Sequence, residues 1–256
     1  MKITCHMLVK NEENFIWFSL NSIIDYVDEV LVWDNQSIDN TVKIVESINS
    51  PKIKLTKGAQ GDVAVVRQKM LDQTEADWIF IHDGDEIWHK DQIASQIEKI
   101  KKDGDNFDVV VNPNIVLIGD MYHILPKSAG KYKIHDRVGH YNIRFIKNLQ
   151  GLTLQGVYPT EAYVLNGIKV QEFPRERISF SDNFYLHASF LQRSVKVERK
   201  IKYEIGNQLP LDYFYPEVFF VDKPELILNP WKPMIWQYKL QAFLQTPIKK
   251  MKRRII

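Results

Sequence analysis

The sequence predicts an α/β fold built on an open, mostly parallel sheet flanked by helices. Three observations carry that expectation. Four short apolar runs in the first hundred residues are each followed by a segment of helical spacing, the signature of strand-then-helix units with right-handed crossovers. Three of the runs end in polar clusters: Lys10-Asn11-Glu12, Asp34-Asn35-Gln36-Ser37 and Asp83-Gly84-Asp85-Glu86. The 256 residues are 45% hydrophobic and 26% charged, enough apolar material for a core and too little charge imbalance for a disordered chain.

The elements follow in order. Ile3 to Val9 reads as a buried parallel strand, with Asn11 as helix N-cap and Glu12 and Glu13 in the first helical turn, where they would complement the helix dipole. Phe15, Ile16, Phe18, Leu20, Ile23 and Ile24 continue with helical spacing. Glu29 to Trp33 is the second strand and Asp39 to Ile48 its helix. Lys52 to Thr56 is the third strand; Gly58 and Gly61 mark a loop, and Asp62 caps a helix with Val63, Val66 and Met70 on one stripe. Trp78 to Ile81 is the fourth strand, with a helix over Asp91 to Ile100.

The second half is less regular. Phe107 to Ile118 predicts a strand interrupted at Asn112-Pro113-Asn114, and His140 to Ile146 and Leu152 to Val157 predict antiparallel strands. Ser194 to Ile205 predicts a helix with a solvated face. The simplest division is one domain over residues 1–230 and a tail over 231–256.

Several functions are disfavoured. A net charge of +2, from 34 basic and 32 acidic residues, gives no reason to expect nucleic acid binding. The single cysteine, Cys5, excludes an intramolecular disulfide and a Cys-rich zinc site, and reads as a small core hydrophobe. Neither a signal-peptide pattern nor an apolar stretch long enough to span a bilayer is present, so the expected location is cytoplasmic. Neither Gly58 nor Gly61 has the partners of a Walker or dinucleotide motif, which disfavours ATPases and nicotinamide dehydrogenases.

Ligands of open parallel sheets bind beyond the carboxyl ends of the strands, so the three polar clusters should converge on one rim. Asp83 and Asp85 weigh most. Two carboxylates separated by one small residue suit a hard divalent cation, Mg²⁺ or Mn²⁺, shared with substrate phosphates. An Asp-Gly-Asp turn alone is more often a solvated acidic turn, but here it follows an apolar strand, and like charges packed this closely call for a cation. Arg67 reads as a surface arginine or as a guanidinium reaching a diphosphate.

Met7-Leu8-Val9-Lys10-Asn11-Glu12-Glu13, Val27-Asp28-Glu29-Val30 leading to Asp34-Asn35-Gln36-Ser37-Ile38-Asp39-Asn40-Thr41, then Arg67, then Asp77-Trp78-Ile79-Phe80-Ile81-His82-Asp83-Gly84-Asp85-Glu86 resemble glycosyltransferase family 2 in order and spacing. The resemblance covers about the first 100 residues. It implies a GT-A-like fold, a nucleotide-sugar-binding half over residues 1–105, an acceptor half over 106–230, and a hexosyltransferase that usually inverts the anomeric carbon. It implies a nucleotide diphosphate sugar donor, with a UDP-sugar the first choice. It places Asp34 and Asn35 against base and ribose, Arg67 near the pyrophosphate, Asp83 at the ribose or metal, Asp85 on a divalent metal and Lys10 near the nucleotide. Family members usually carry Ala where Gly84 stands.

The later match is looser. Arg144-Phe145 and then Gly156-Val157-Tyr158-Pro159-Thr160-Glu161 are similar to a segment that ends in the general base, which makes Glu161 the first candidate, ahead of Asp136 and Asp182. Tyr185-Leu186-His187-Ala188-Ser189 resembles the segment whose histidine completes the metal or phosphate site. Two other functions stay open: a sugar nucleotidyltransferase, which would carry a Gly-rich loop after the first strand where this chain has none, and a non-catalytic binding protein of the same fold.

The tail mixes aromatics and aliphatics with the cationic run Lys249-Lys250-Met251-Lys252-Arg253-Arg254. As a helix it would set Ile235, Leu240, Phe243 and Leu244 on an apolar side, with Lys239, Lys249, Lys250 and Lys252 nearer water. It is either a helix packed on the domain or a peripheral membrane contact, the latter suiting a glycan or lipid-linked acceptor in surface polysaccharide biosynthesis.

Overall fold

The computed structural model describes residues 1–197 and 201–254. Strands β1 (Ile3–Val9), β2 (Glu29–Asp34), β3 (Ile53–Thr56) and β4 (Trp78–Ile81) are mutually parallel in the order β4-β1-β2-β3. They alternate with α1 (Ile16–Ile23), α2 (Thr41–Ser47), α3 (Val63–Asp72) and, beyond the short strand β5 (Glu86–Trp88), α4 (Lys90–Asp103). The expected parallel half is therefore present.

Side-chain alternation explains why the sheet is covered on both faces. On β4, Trp78 and Phe80 enter the larger core with Met7, Phe18 and Trp88, whereas Ile79 and Ile81 enter a second core with Leu71, Val109 and Ile146. Cys5 is fully buried in the larger core, as a small hydrophobe should be.

The second half adds antiparallel neighbours. Strands β6 (Val109–Ile118), β7 (Asp120–Ile124), the β8 (Tyr132–Ile134) and β9 (Arg137–Gly139) hairpin, and β10 (Tyr141–Lys147) follow. The antiparallel strand β10 joins β4 to β6 and stacks Phe145 on Phe80 at 4.3 Å. A separate small sheet holds β11 (Thr153–Gln155), β12 (Ala162–Leu165) and β13 (Ile168–Lys169). Strands β14 (Ile178–Phe180) and β15 (Tyr185–Phe190) run parallel to β6, and β16 (Asn207–Gln208) lies at the edge beside β7.

The structure corrects four local expectations. Asn11 does not cap a helix: it takes φ +56°, and α1 starts only at Ile16. The bend instead aims the backbone N–H groups of Asn11, Glu12 and Glu13 at Ser37 Oγ, Thr41 Oγ1 and Asp39 Oδ2, so Glu12 and Glu13 lie before the helix and outside its first turn. β6 passes through Pro113 without a break, because the strand changes neighbours there: β14 pairs with Val109 to Val111 and β15 with Asn114 onward. β11 is shorter than the predicted strand, and Gly156, at φ +93°, already belongs to the loop that follows it.

The fourth correction concerns the helix expected over Ser194 to Ile205. Its residues 198–200 lie outside the described residues, and the flanking stretches are not helical. Glu13 Oε1 holds Ser194 Oγ and Val195 N, each at 2.8 Å, so the segment is tied across the molecule rather than coiled on itself.

Helix α5 (Trp236–Arg254) docks by Tyr238 and Ala242, preceded by Met234, against Tyr203 and Ile205. Arg253 makes a bidentate ion pair with the buried Glu204, and Lys249 donates to Tyr203 O, so Lys249 faces the domain rather than water. Among the described residues no helix is long and apolar enough to cross a membrane.

Candidate active site

The carboxyl ends of β1, β2 and β4 share one edge of the sheet, as the register requires. Val9 lies opposite Asp34 and His6 opposite Ile81. Asn35 N donates to Val9 O at 2.8 Å, and His82 N to His6 O at 3.1 Å. Lys10 is exposed and Asn35 half-buried on this edge, while Asp34 is buried and accepts from Ser37 N. Lys10 and Asn11 also line a cleft of about 180 Å³ whose other wall is Ser194 and Val197.

Past β4, His82-Asp83-Gly84-Asp85 forms the turn into β5. Ser19 on α1 anchors the turn through His82 Nε2 and Asp83 O. The hydrogen-bond register then places the histidine: β15 is antiparallel to β5 with His187 opposite Glu86, and Ala188 N donates to Asp85 O. His187 Nε2 thereby stands 3.5 Å from Asp85 Oδ1.

Arg67 projects from α3, which Asp62 caps by accepting from Ala64 N, and Arg67 Nη2 is 3.2 Å from Asp83 Oδ1. Arg144 on β10 is 3.2 Å from Asp83 Oδ2, ion-paired with the fully buried Glu86, and bonded through Nε to Tyr185 OH at 2.8 Å. Arg193 Nη1 lies 2.6 Å from Glu12 Oε1 and 3.0 Å from Asp85 Oδ2.

The electrostatics follow from this pairing. Burial raises the Asp83 carboxyl, but Arg144 and Arg67 outweigh it and hold the group well below the usual range. Burial likewise opposes ionisation of Asp85, and His187 and Arg193 overcome it. His187 is disfavoured as a cation by burial yet raised on balance by Asp85. Glu12 goes the other way: burial and then the Asp85 charge push it well up against the pull of Arg193.

These arginines change the expectation that packed acids call for a metal. Arg67 and Arg144 already compensate Asp83 and Glu86, so charge density alone does not demand a cation at Asp83. The narrower case is Asp85 with His187. Two ligands on one octahedral ion with bonds of about 2.1 Å stand roughly 3 Å apart, close to the separation here. Among the described residues no three His, Cys, Asp or Glu side chains converge on one point. The side chains therefore fit Mg²⁺ or Mn²⁺ that takes its remaining ligands from a diphosphate and water, and not a cation caged by protein alone.

Glu161 lies in the loop between β11 and β12, half-buried, with Oε2 buried and without a hydrogen-bond partner, and its charge reaches Arg67. Asp136 is exposed beside Arg175 at 3.9 Å, and Asp182 is exposed after β14; neither joins the cluster. The sequence assigned no role to Arg144 or Arg193, and it placed Glu12 on the rim without a partner. The Arg144-Phe145 pair was visible as a motif, but nothing in the spacing of Glu12 and Arg193, 181 positions apart, announces their contact.

The family model for glycosyl transferase family 2 matches residues 4–154, more than half of the chain. The SPbeta prophage-derived glycosyltransferase SunS of Bacillus subtilis is 28% identical over 252 residues, covering 93% of this chain and 54% of that protein. The chain thus spans about half the length of this relative. Among solved structures, S. aureus TarS 1–349 in complex with UDP-GlcNAc superposes with a TM-score of 0.51 at 19% identity, covering 74% of this chain and 59% of that one. Glucosyl-3-phosphoglycerate synthase from Mycobacterium tuberculosis, in complex with Mn²⁺, UDP and phosphoglyceric acid, gives 0.51 at 15% identity, covering 73% and 71%. The two structures share the fold with this chain, and the sequence match decides its family: the chain belongs to glycosyl transferase family 2.

Proposed function

We propose that the chain transfers a hexosyl group from a UDP-sugar to an acceptor hydroxyl with inversion at the anomeric carbon. The observation that carries this reading is the side-by-side placement of the Asp85–His187 pair and the Arg67–Asp83–Arg144 cluster on one sheet edge. The structural relatives named above bind UDP-GlcNAc or UDP, which supports the donor class.

Asp34 and Asn35 would receive the base and ribose at the end of β2. Arg67, held by Asp83, offers its remaining donors to the diphosphate, where negative charge grows as the bond to the sugar breaks. A divalent cation held by Asp85 and His187 would add Lewis-acid stabilisation of that leaving group. On the far side of the sugar, Glu161 takes the proton of the acceptor hydroxyl as its oxygen bonds to the anomeric carbon and UDP departs. The unpartnered Glu161 Oε2 supports that role.

A screen of nucleotide sugars with Mn²⁺ or Mg²⁺, reading thermal stabilisation and nucleotide release together, tests the proposal. Release of UDP only with metal, lost in Asp85→Ala while the fold survives, is expected. Unchanged turnover in Asp85→Ala would refute the metal role, and binding without release would make the chain a sugar-nucleotide-binding protein.

The outward face of α5 carries Trp236, Leu240, Phe243, Leu244, Ile248 and Met251, all exposed, with Lys239, Lys250 and Lys252 beside them. That pattern supports peripheral contact with an anionic membrane, suited to a lipid-linked acceptor in surface glycan assembly. Sedimentation with anionic liposomes should be lost in Phe243→Glu/Leu244→Glu; retention would reject the contact.

A further inference from the structure

Arg193 holds two buried carboxylates with one nitrogen. Its Nη1 serves both Glu12 Oε1 and Asp85 Oδ2, and both acids are at least nine-tenths buried. The match is poor. A guanidinium suited to a carboxylate uses its planar fork, yet Arg193 Nε is buried without an acceptor and Glu12 Oε2 is buried without a donor. Both members of the pairing are left with unused capacity.

The backbone beneath Arg193 is secured independently of this pairing. Asn14 N donates to Arg193 O at 3.0 Å, and Asn14 Nδ2 to Gln192 O at 2.7 Å. Glu13 Oε1 accepts from Ser194 Oγ and Val195 N on the other side. The guanidinium can therefore leave Asp85 by side-chain rotation while the strap stays in place.

We propose that Arg193 is the resident counter-cation of the Glu12–Asp85 pair, and that a divalent metal at Asp85 competes with it for the charge of that carboxylate. This rests on the reading of Asp85 as a metal ligand. Metal affinity is then set by competition. The coupling is reciprocal: the factor by which Arg193 weakens the metal is the factor by which the metal loosens Arg193. Arg193 is thus a positioning residue that keeps the acidic pair compensated and releases its charge, beside the diphosphate site, when the metal arrives.

Mn²⁺ titration of the full chain with UDP present at a fixed concentration, followed by the electron paramagnetic resonance signal of free Mn²⁺ and read against UDP alone, compares the wild type with Arg193→Gln, Arg193→Lys and Asp85→Asn. Arg193→Gln should bind Mn²⁺ roughly tenfold more tightly, within the usual range for coupled sites. It should also gain more thermal stability from a given Mn²⁺ concentration. Arg193→Lys, which keeps a cation in place, should stay nearer the wild type, an ordering that lost packing alone would not give. If Asp85→Asn loses Mn²⁺ while Arg193→Gln binds no more tightly than wild type, the exchange is overturned and the metal reading stands. If Asp85→Asn binds Mn²⁺ as the wild type does, both fall.

Discussion

Replacing Arg144 with methionine should destabilise the protein by about 3–5 kcal/mol, the usual cost of removing one partner from a buried ion pair. The structure decides which contact sets that magnitude. The Arg144 side chain is 6% exposed and Glu86 is 0% exposed, so losing the guanidinium leaves a carboxylate that water cannot reach with only Asp83 N, at 3.2 Å, and its neighbours His82 and His187. Asp83, at 32% exposed, keeps Arg67 and some solvent, so its share is small. Methionine fills much of the arginine stem, which isolates the charge effect from a cavity effect. Urea denaturation followed by tryptophan fluorescence should show a lower midpoint at an unchanged slope. Adding Glu86→Gln removes the stranded charge, and the double variant should recover a coupling energy of about 1–3 kcal/mol. A loss below about 1 kcal/mol, or strictly additive effects, would refute the idea that arginines rather than a metal compensate this part of the acidic cluster.

Two further outcomes follow from buried groups. Burial holds His6 at about 3 instead of its ordinary 6.5, and the Thr74 hydroxyl donates to Met70 O, so His6 Nε2 carries the hydrogen it shares with Thr74. The unfolded state then binds a proton that the fold refuses, and stability falls with acid from about 6.5 toward 3, by about 2 kcal/mol between pH 7 and pH 5. His6→Gln should remove that portion of the pH slope in urea melts at the two pH values; an identical slope would reject it. A Cβ at Gly84 would meet Glu12 Cγ at 3.0 Å and Ile16 Cδ1 at 3.2 Å, so Gly84→Ala should cost about 1 kcal/mol, and thermal melts that show no loss would reject the crowding.

The parallel half was legible because its signals are local. The runs that become β1, β2 and β4 are buried on both faces and end where a polar cluster begins, and Asp62 caps its helix as its type and place suggest. Failures arose where a distant contact overrode a local preference. Asn11 has the side chain of an N-cap, but Ser37, Thr41 and Asp39 capture the backbone there. Glu13 binds Ser194 Oγ and Val195 N, which ties the start of that segment across the molecule instead of into a helix. On α5 the apolar residues singled out from the sequence are exposed, while Tyr238, Ala242 and Thr246 make the dock. The same division runs through the site. Asp83, Asp85, Arg67, Glu12 and Arg144 all stand in motifs, but the pairing of Arg144 with Glu86 and of Arg193 with Glu12 comes from sheet register and from a strap returning from late in the chain. The small residue between the two aspartates, Gly84, has no positive φ, and the space it leaves is taken by the stem of Glu12.

The most direct measurement is an anomalous difference map from crystals grown with UDP and Mn²⁺. The account predicts one manganese peak shared by Asp85, His187 and the diphosphate, with the uracil ring beside Asp34 and Asn35. UDP bound on this edge with no manganese at Asp85, or manganese bound away from the Asp85–His187 pair, would contradict it.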